Sequence, residues 1–150
     1  MSIAENLQNI KNTLPGNVHL VAVSKTKAVA DLLEAYNAGQ RIFGENKIQE
    51  MTEKWEQMPK DIQWHMIGHV QTNKVKYMAP YVSLIHGVDS LKLLVEINRQ
   101  AKKWRRVIPC LLQVYIATEE SKFGLAHDEL LQLIHSDEFK SLENIKIIGL

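Results

Sequence analysis

The chain is 150 residues long, which is typical of one domain with a sizeable hydrophobic core. Lysine and arginine number 18 against 17 aspartates and glutamates, so the net charge of +1 gives no indication of binding to nucleic acid or to an anionic membrane. No apolar run approaches the ~18 residues that a membrane span requires, and the first residues lack the pattern of a secretory signal, so the cytoplasm is the expected location.

Strand-like and helical patterns alternate along the chain, after an opening helix over about Ile3–Thr13 that is closed by Pro15 and Gly16. Strands are predicted at Val18–Val23, Arg41–Gly44, Gln63–Gly68, Val82–His86, Val107–Ile116 and Ile145–Leu150. Helices are predicted between them at Ala28–Ala38, Lys47–Gln57, Thr72–Met78, Leu91–Trp104 and His127–Phe139. This alternation predicts an α/β fold with a parallel sheet and right-handed crossovers.

Polar residues collect where each predicted strand ends. The strand ends read Ser24-Lys25-Thr26, Gly44-Glu45-Asn46, Gly68-His69-Val70-Gln71, Gly87-Val88-Asp89 and Ala117-Thr118-Glu119-Glu120. In a (β/α) barrel the loops that follow the strands carry the function, whereas those that precede them carry stability. Capping of the helices explains part of the pattern, and Ser90 is predicted to be such an N-cap. Capping does not require Lys25, His69 or the pair Glu45 and Asn46.

Lys25 follows the apolar run His19–Ser24 and precedes a helical pattern, so it is expected at the rim of the sheet. A lysine held there can form a Schiff base if its amine stays neutral. Lys27 would favour the neutral amine if it shares a strand face with Lys25, and so would the positive end of the next helix. The alternative is a solvated lysine that only marks the end of a strand.

Cysteine and histidine give little support for nucleophilic or metal chemistry. Cys110, the one cysteine, lies in an apolar strand and is expected to be a small core residue. His65 and His69 are four residues apart, but they fall at a strand end and would not share one helix face. No catalytic residue and no metal ligand is therefore predicted.

Four ordered motifs of this chain resemble the pyridoxal phosphate homeostasis proteins, single-domain relatives of the alanine racemase barrel. The motifs are Val21–Lys27, Ala38–Asn46 with Gln49 and Glu50, Trp64–Lys74, and Ser121–Gly124. The resemblance implies a (β/α)8 TIM-barrel type of fold, with pyridoxal 5′-phosphate (PLP) held as an internal aldimine on Lys25. It also implies a role in storing or delivering PLP and related B6 vitamers, with PLP-dependent apo-enzymes as recipients and no robust catalysis.

Further residues are candidates for cofactor binding through the same resemblance. Asn46, at the end of the second strand, would lie near the cofactor and could donate a hydrogen bond to it; the alternative is an N-cap of the next helix. Lys122, in the loop after the fifth strand, matches a lysine of the family pattern and could neutralise a phosphate or a second vitamer. Its alternative is simple solvation.

The third strand supplies two more candidates, His65 and Ile67. They alternate with Trp64 and Met66, so one pair faces the barrel interior and the other faces the helices. The sequence does not decide which pair is which. An inward His65 could lie beside the pyridine ring, and the alternative is a hydrogen-bonded core histidine.

The chain departs from the family pattern in its length, because an eight-stranded barrel typically needs ~250 residues. Leu150 falls within the apparent sixth strand, Ile145–Leu150. The resemblance places the phosphate cup and the arginine that faces the pyridine nitrogen in the remaining third. We therefore expect residues 1–150 to be one PLP-binding barrel domain, incomplete at its C-terminal end, and the full-length protein to be a monomer.

Two other functions fit part of the pattern. An amino-acid racemase or decarboxylase of the same barrel lineage would also use the lysine, but a racemase-like Ala-Tyr-Gly-His continuation does not follow Lys25. A doubly wound, flavodoxin-like binding module would suit the length, but the turn Ser24–Thr26 has no phosphate-binding glycine.

Overall fold

A computed structural model describes residues 1–116, 118 and 123–150. In these residues six strands form one parallel sheet in sequential order. The strands are β1 (Ala22–Val23), β2 (Ile42–Glu45), β3 (Gln63–Met66), β4 (Leu84–Val88), β5 (Ile108–Leu112) and β6 (Ile145–Gly149). Sequential parallel order is the arrangement of a (β/α) barrel and confirms that predicted fold class. It excludes the doubly wound alternative, in which the strand order reverses.

Seven helices lie between or before the strands in the described part of the chain. They are α1 (Ile3–Asn12), α2 (Val29–Asn37), α3 (Ile48–Gln57), α4 (Val75–Met78), α5 (Leu91–Lys103), α6 (His127–His135) and α7 (Asp137–Lys140). The predicted N-cap is confirmed, because the Ser90 hydroxyl accepts a hydrogen bond from the Leu93 N–H at 3.1 Å. None of these helices is long and apolar enough to cross a membrane.

The two faces of the sheet differ in burial. Ala22, Phe43 and Trp64 form one row across β1, β2 and β3, and the rings of Phe43 and Trp64 pack 5.8 Å apart under the helices. The adjacent row, Val23, Gly44, His65 and Leu84, lies on the opposite face. Val23 is 57% exposed on that face, whereas Phe43 and Trp64 on the first face are 1% and 0% exposed. We call the two sides the covered face and the open face.

Two predicted strands are shorter than expected, each for a local reason. The run Val18–Val23 contains only the two residues of β1, because the Gln40 side chain, and not a backbone N–H, donates to the Leu20 carbonyl at 2.8 Å. The run Val107–Ile116 ends its sheet pairing at Leu112, after which the chain pairs with the segment around Leu125. Both runs are apolar enough to predict strands, but strand formation also depends on pairing with neighbours that are distant in sequence.

Two predicted helices are interrupted. Thr72–Met78 begins as a 3₁₀ turn, Thr72–Lys74, and continues as α4. His127–Phe139 is divided at Ser136, whose extended backbone ends α6 and whose hydroxyl accepts a hydrogen bond from Phe139 N–H as the cap of α7. A serine at this position competes with the helix because its short side chain bonds to nearby backbone groups.

Cys110 lies on the covered face and is fully buried, as predicted. Burial raises the pKa of its thiol to about 12, which leaves it protonated and unreactive at neutral pH. Among the described residues, no group of three or more His, Cys, Asp or Glu side chains is arranged to hold a metal ion.

Candidate functional site

Lys25 lies in a tight turn at the carboxyl end of β1. Ser24 N–H still donates to the Gly44 carbonyl at 2.9 Å, and the Lys27 N–H then closes the turn on the Ser24 carbonyl at 3.1 Å. Thr26 has φ of +64°, the left-handed conformation that the third position of a type II turn requires and that glycine normally supplies. In a β-branched residue this conformation costs about 1–2 kcal/mol.

A charged network lies behind this turn on the covered face. The Lys54 ammonium donates to Glu45 Oε2 at 2.9 Å, to Glu50 Oε2 at 2.7 Å and to the Ser24 carbonyl at 2.8 Å. Glu45 Oε2 also accepts a short hydrogen bond from the Ser24 hydroxyl, and Glu50 Oε2 accepts from the Thr26 N–H at 2.7 Å. The carboxylate of Glu45 is fully buried, and the Lys54 side chain is only 6% exposed. We call Glu45, Glu50 and Lys54 the buried triad.

The pKa values of the two carboxylates in the buried triad are shifted in opposite directions. Burial raises the pKa of Glu45 above its usual value, although hydrogen bonds from Ser24 and Lys54 oppose that shift. The hydrogen bond from Lys54 lowers the pKa of Glu50, which is closer to solvent. Glu45 Oε1 is buried without a hydrogen-bond partner among the described residues, so the triad carries an unsatisfied oxygen.

The Lys25 side chain has a very different environment. It is exposed, and within the described part of the chain no hydrogen bond or ion pair involves its amine. Ser24 turns its hydroxyl towards the buried Glu45, so alternation along the chain places Lys25 on the side of the open face. The condition for a strand face shared with Lys27, an extended chain, is not met, because the backbone turns between the two lysines.

Asn46 follows β2 and lies directly beside the end of β3. A Cβ atom on Gly68 would lie 2.7 Å from the Asn46 carbonyl oxygen, so only glycine allows this close approach. The alternative role of Asn46 as an N-cap is wrong: Lys47 occupies that position, and no side chain caps α3. Asn46 also lines a cleft of about 380 Å³, together with His69 and Lys74.

The structure decides which residues of β3 face the helices. Trp64 and Met66 are 0% and 1% exposed on the covered face, whereas His65 and Ile67 lie on the open face. A Cβ atom on Gly44 would lie 3.1 Å from Ile67 Cδ1, which places Gly44 and Ile67 against each other on that face. On the open face, Gly44 therefore lies next to the apolar side chain of Ile67 and the imidazole of His65.

His65 is paired with a second histidine on the open face. Its Nδ1 lies 3.0 Å from Nε2 of His86, so one ring donates a hydrogen bond to the other. Burial, followed by the charges of His86 and His19, lowers the pKa of His65 to about 4, and burial also lowers the pKa of His86. Both rings are therefore neutral near pH 7.

The other polar candidates lie further along the same edge of the sheet. His69 is exposed and stacks on Phe123 with the ring centres 3.9 Å apart, and its Nδ1 lies 3.9 Å from Asp89. Lys122, the fifth cofactor-binding candidate, lies outside the described residues. The described geometry thus brings His65 and Ile67 to the open face of β3 and places Asn46 at the end of β2, between the end of β3 and the turn that contains Lys25.

Sequence reasoning missed the buried triad. Glu45 and Glu50 belong to the quoted motifs, but neither was assigned a role, and Lys54 lies 30 residues from Ser24. One indication was present: Lys54 continues the three-residue spacing of Ile48 and Met51 on the buried side of α3. A lysine in such a position needs a buried partner, since isolated charges are rarely buried.

Comparison with known families places this geometry in context. Residues 1–150 match the family described as alanine racemase, N-terminal domain. A pyridoxal phosphate homeostasis protein of Synechocystis sp. is 41% identical over 92% of this chain, and one of Pasteurella multocida is 35% identical over the whole chain. The chain spans 63% of the length of the Synechocystis protein and 69% of the Pasteurella protein. It therefore belongs to the pyridoxal phosphate homeostasis protein family, within the alanine racemase N-terminal-domain class.

Solved structures agree with this assignment. PipY of Synechococcus elongatus, solved with PLP bound, is 35% identical with a TM-score of 0.89, and the match covers 99% of this chain and 69% of that one. An alanine racemase of Clostridium difficile matches with a TM-score of 0.79 over 99% of this chain and 39% of that one, but at 18% identity. The racemase likeness shows the shared fold alone.

Proposed function

We propose that this protein binds pyridoxal 5′-phosphate covalently through Lys25 and acts in PLP homeostasis, by storing the cofactor or delivering it to PLP-dependent apo-enzymes. One observation supports the proposal above all: an exposed primary amine, with no hydrogen-bond or ion-pair partner in the described part of the chain, stands on a hydrogen-bonded turn at the carboxyl edge of a barrel-type sheet. When bound, PLP supplies a reactive aldehyde and an electron-withdrawing pyridine ring. The Lys25 nitrogen adds to the aldehyde carbon, and loss of water leaves a C=N bond.

The residues beside Lys25 suit such a ligand. The Asn46 amide can donate a hydrogen bond to a ring substituent, and Ile67 offers an apolar surface to one side of a planar ring. His65 can contact the ligand as a neutral imidazole, held in place by His86. Lys122 is proposed as a further binding residue, on the family pattern alone.

The proposal assigns binding and not turnover to this site. Storage needs a reversible attachment, whereas racemisation needs acid–base groups on both sides of the substrate α-carbon. We propose no catalytic residue, a cytoplasmic location, and a full-length protein that is a monomer and binds neither nucleic acid nor membranes. Racemisation of alanine by the purified protein, lost in Lys25→Ala, would instead support the racemase alternative.

Borohydride reduction after incubation with PLP, followed by peptide mass mapping, tests the attachment. We expect the modification on the peptide that contains Lys25, because this lysine follows β1 directly, on the side of the open face where His65 and Ile67 can contact the ligand. Lys25→Ala should lose the modification and Lys27→Ala, the matched control two residues away, should retain it. Equal labelling of the two variants, or labelling spread over surface lysines of the wild-type protein, would contradict the assignment.

A further inference from the structure

The buried triad bonds to the backbone on both sides of Lys25. On one side the Ser24 carbonyl accepts from Lys54 at 2.8 Å, and on the other the Thr26 N–H donates to Glu50 at 2.7 Å. Lys25 itself takes no part in the network among the described residues. The triad therefore fixes the two peptide groups that flank Lys25 and leaves the amine between them free.

The turn needs this external support. Thr26 is held at φ of +64°, which a threonine adopts only when its surroundings impose it. Within the turn itself, the hydrogen bond from Lys27 N–H to the Ser24 carbonyl closes the loop. The bond from Thr26 N–H to the Glu50 carboxylate is charge-assisted, and such bonds are roughly twice as strong as neutral ones.

Burial of the triad costs free energy, because charged groups lose their hydration. A role beyond filling space is therefore expected for it. Lys54 uses all three of its N–H donors on Glu45, Glu50 and Ser24, while Glu45 keeps one buried oxygen without a partner in the described part of the chain. Apolar side chains of similar volume could occupy such a position as stably as a buried ion pair. A charged triad, unlike an apolar cluster, can bond directionally to a carbonyl and to an N–H.

We propose that Glu50 and Lys54 are positioning residues for Lys25: they hold the Ser24–Lys27 turn so that the Lys25 amine stands free on the open face for its carbonyl ligand. This inference rests on the proposed function, since it assigns a purpose to the orientation of the Lys25 amine. Glu45 anchors Lys54 from the fully buried side.

Glu50→Ala is the variant that tests the proposal. The Glu50 side chain is 25% exposed, so its removal is compatible with folding. The matched control is Glu53→Ala, which removes an exposed glutamate from the same helix without touching the triad. Glu50→Gln is the conservative variant, because its amide oxygen can still accept from Thr26 N–H.

Two measurements are made on each variant. The first is the rate of borohydride-trapped PLP labelling at Lys25 relative to Lys27, which we expect to fall roughly tenfold in Glu50→Ala through misplacement of the amine. The second is hydrogen exchange at the Thr26 amide, which we expect to accelerate at least about tenfold without any ligand. Both should be unchanged in Glu53→Ala and partly restored in Glu50→Gln.

The outcomes separate this inference from the proposed function. Wild-type labelling rate and selectivity in a folded Glu50→Ala protein would overturn the positioning role, even if Lys25 is the attachment site. Absence of labelling at Lys25 in the wild-type protein would overturn the proposed function, and unchanged Thr26 exchange in Glu50→Ala would overturn the support of the turn. If Glu50→Ala does not fold, Glu50→Asp, which keeps the charge but shortens the side chain and so withdraws the carboxylate from the Thr26 N–H, is compared with Glu53→Asp by the same two measurements.

Discussion

Lys25 and Lys54 lie at the same short turn, Ser24–Lys27, but they differ in burial and in their partners. Lys54 comes from α3 on the covered face, is almost fully buried and pairs with two glutamates. Lys25 stands on the side of the open face, is exposed, and has no partner among the described residues. The difference arises because α3 brings Lys54 to the covered side of the Ser24–Lys27 turn, whereas Lys25 belongs to the turn itself and follows Ser24, whose side chain points to that covered side.

The largest expected difference between the two lysines is in stability. Lys54→Met should lower the free energy of unfolding by about 3–5 kcal/mol, because it leaves the buried Glu45 carboxylate without its cation. Lys25→Met, the matched change on the other side, should stay within about 0.5 kcal/mol of the wild type. Urea unfolding of both variants measures this. Equal losses of unfolding free energy in the two variants would contradict the conclusion that Lys54 stabilises the fold and Lys25 does not.

The His65–His86 pair on the open face should make the stability of the protein depend on pH. The folded-state pKa of His65 is lowered to about 4, so its neutral form stabilises the fold fully above about pH 6.5, and that contribution is lost as the pH falls through about 4. The full difference corresponds to roughly 3 kcal/mol. Because carboxylates also titrate in this range, the quantity to measure is the difference between wild type and His65→Gln. Wild type should lose more stability on acidification, and parallel pH profiles would contradict the prediction.

A smaller effect is expected where the ends of β2 and β3 approach each other. Gly68→Ala should destabilise the protein by about 1–3 kcal/mol, since the added methyl group would lie 2.7 Å from the Asn46 carbonyl oxygen and force the backbone to move. Gly16→Ala is the control, because a Cβ atom there meets nothing within 4 Å. Thermal unfolding of the two variants checks the difference. If both variants unfold at the same temperature, the close contact does not constrain Asn46.

Local pattern was sufficient to place Lys25 but not to describe its surroundings. The apolar run before Lys25 predicted a strand end, and the structure places the lysine immediately after β1. The turn itself was not predictable, because Thr26 adopts a conformation that sequence rules reserve for glycine. Its stabilising bonds come from Glu50 and Lys54, which lie 24 and 30 residues further along the chain from Thr26 and Ser24.

In β3, too, the sequence predicted one property of the candidate residues and only the packing decided another. Alternation predicted that His65 and Ile67 share a face, and the structure confirms the alternation. Which face they share depended on where the helices pack, since Trp64 and Met66 fill the space under them. Asn46 was misjudged as a possible N-cap because capping preferences are local, whereas its position is set by contact with Gly68 on the next strand.

The sequence by itself determined the alternation of strands and helices, the parallel class of the sheet and the position of Lys25 at a strand end, because these depend on hydrophobic period and on neighbours within a few residues. Only the tertiary structure decided which side chains face the open side and which charges are buried together. The physical reason is that both depend on contacts between residues far apart in sequence. Burial makes the pairing of Glu45 with Lys54 obligatory, and that burial exists only once α3 packs on the sheet.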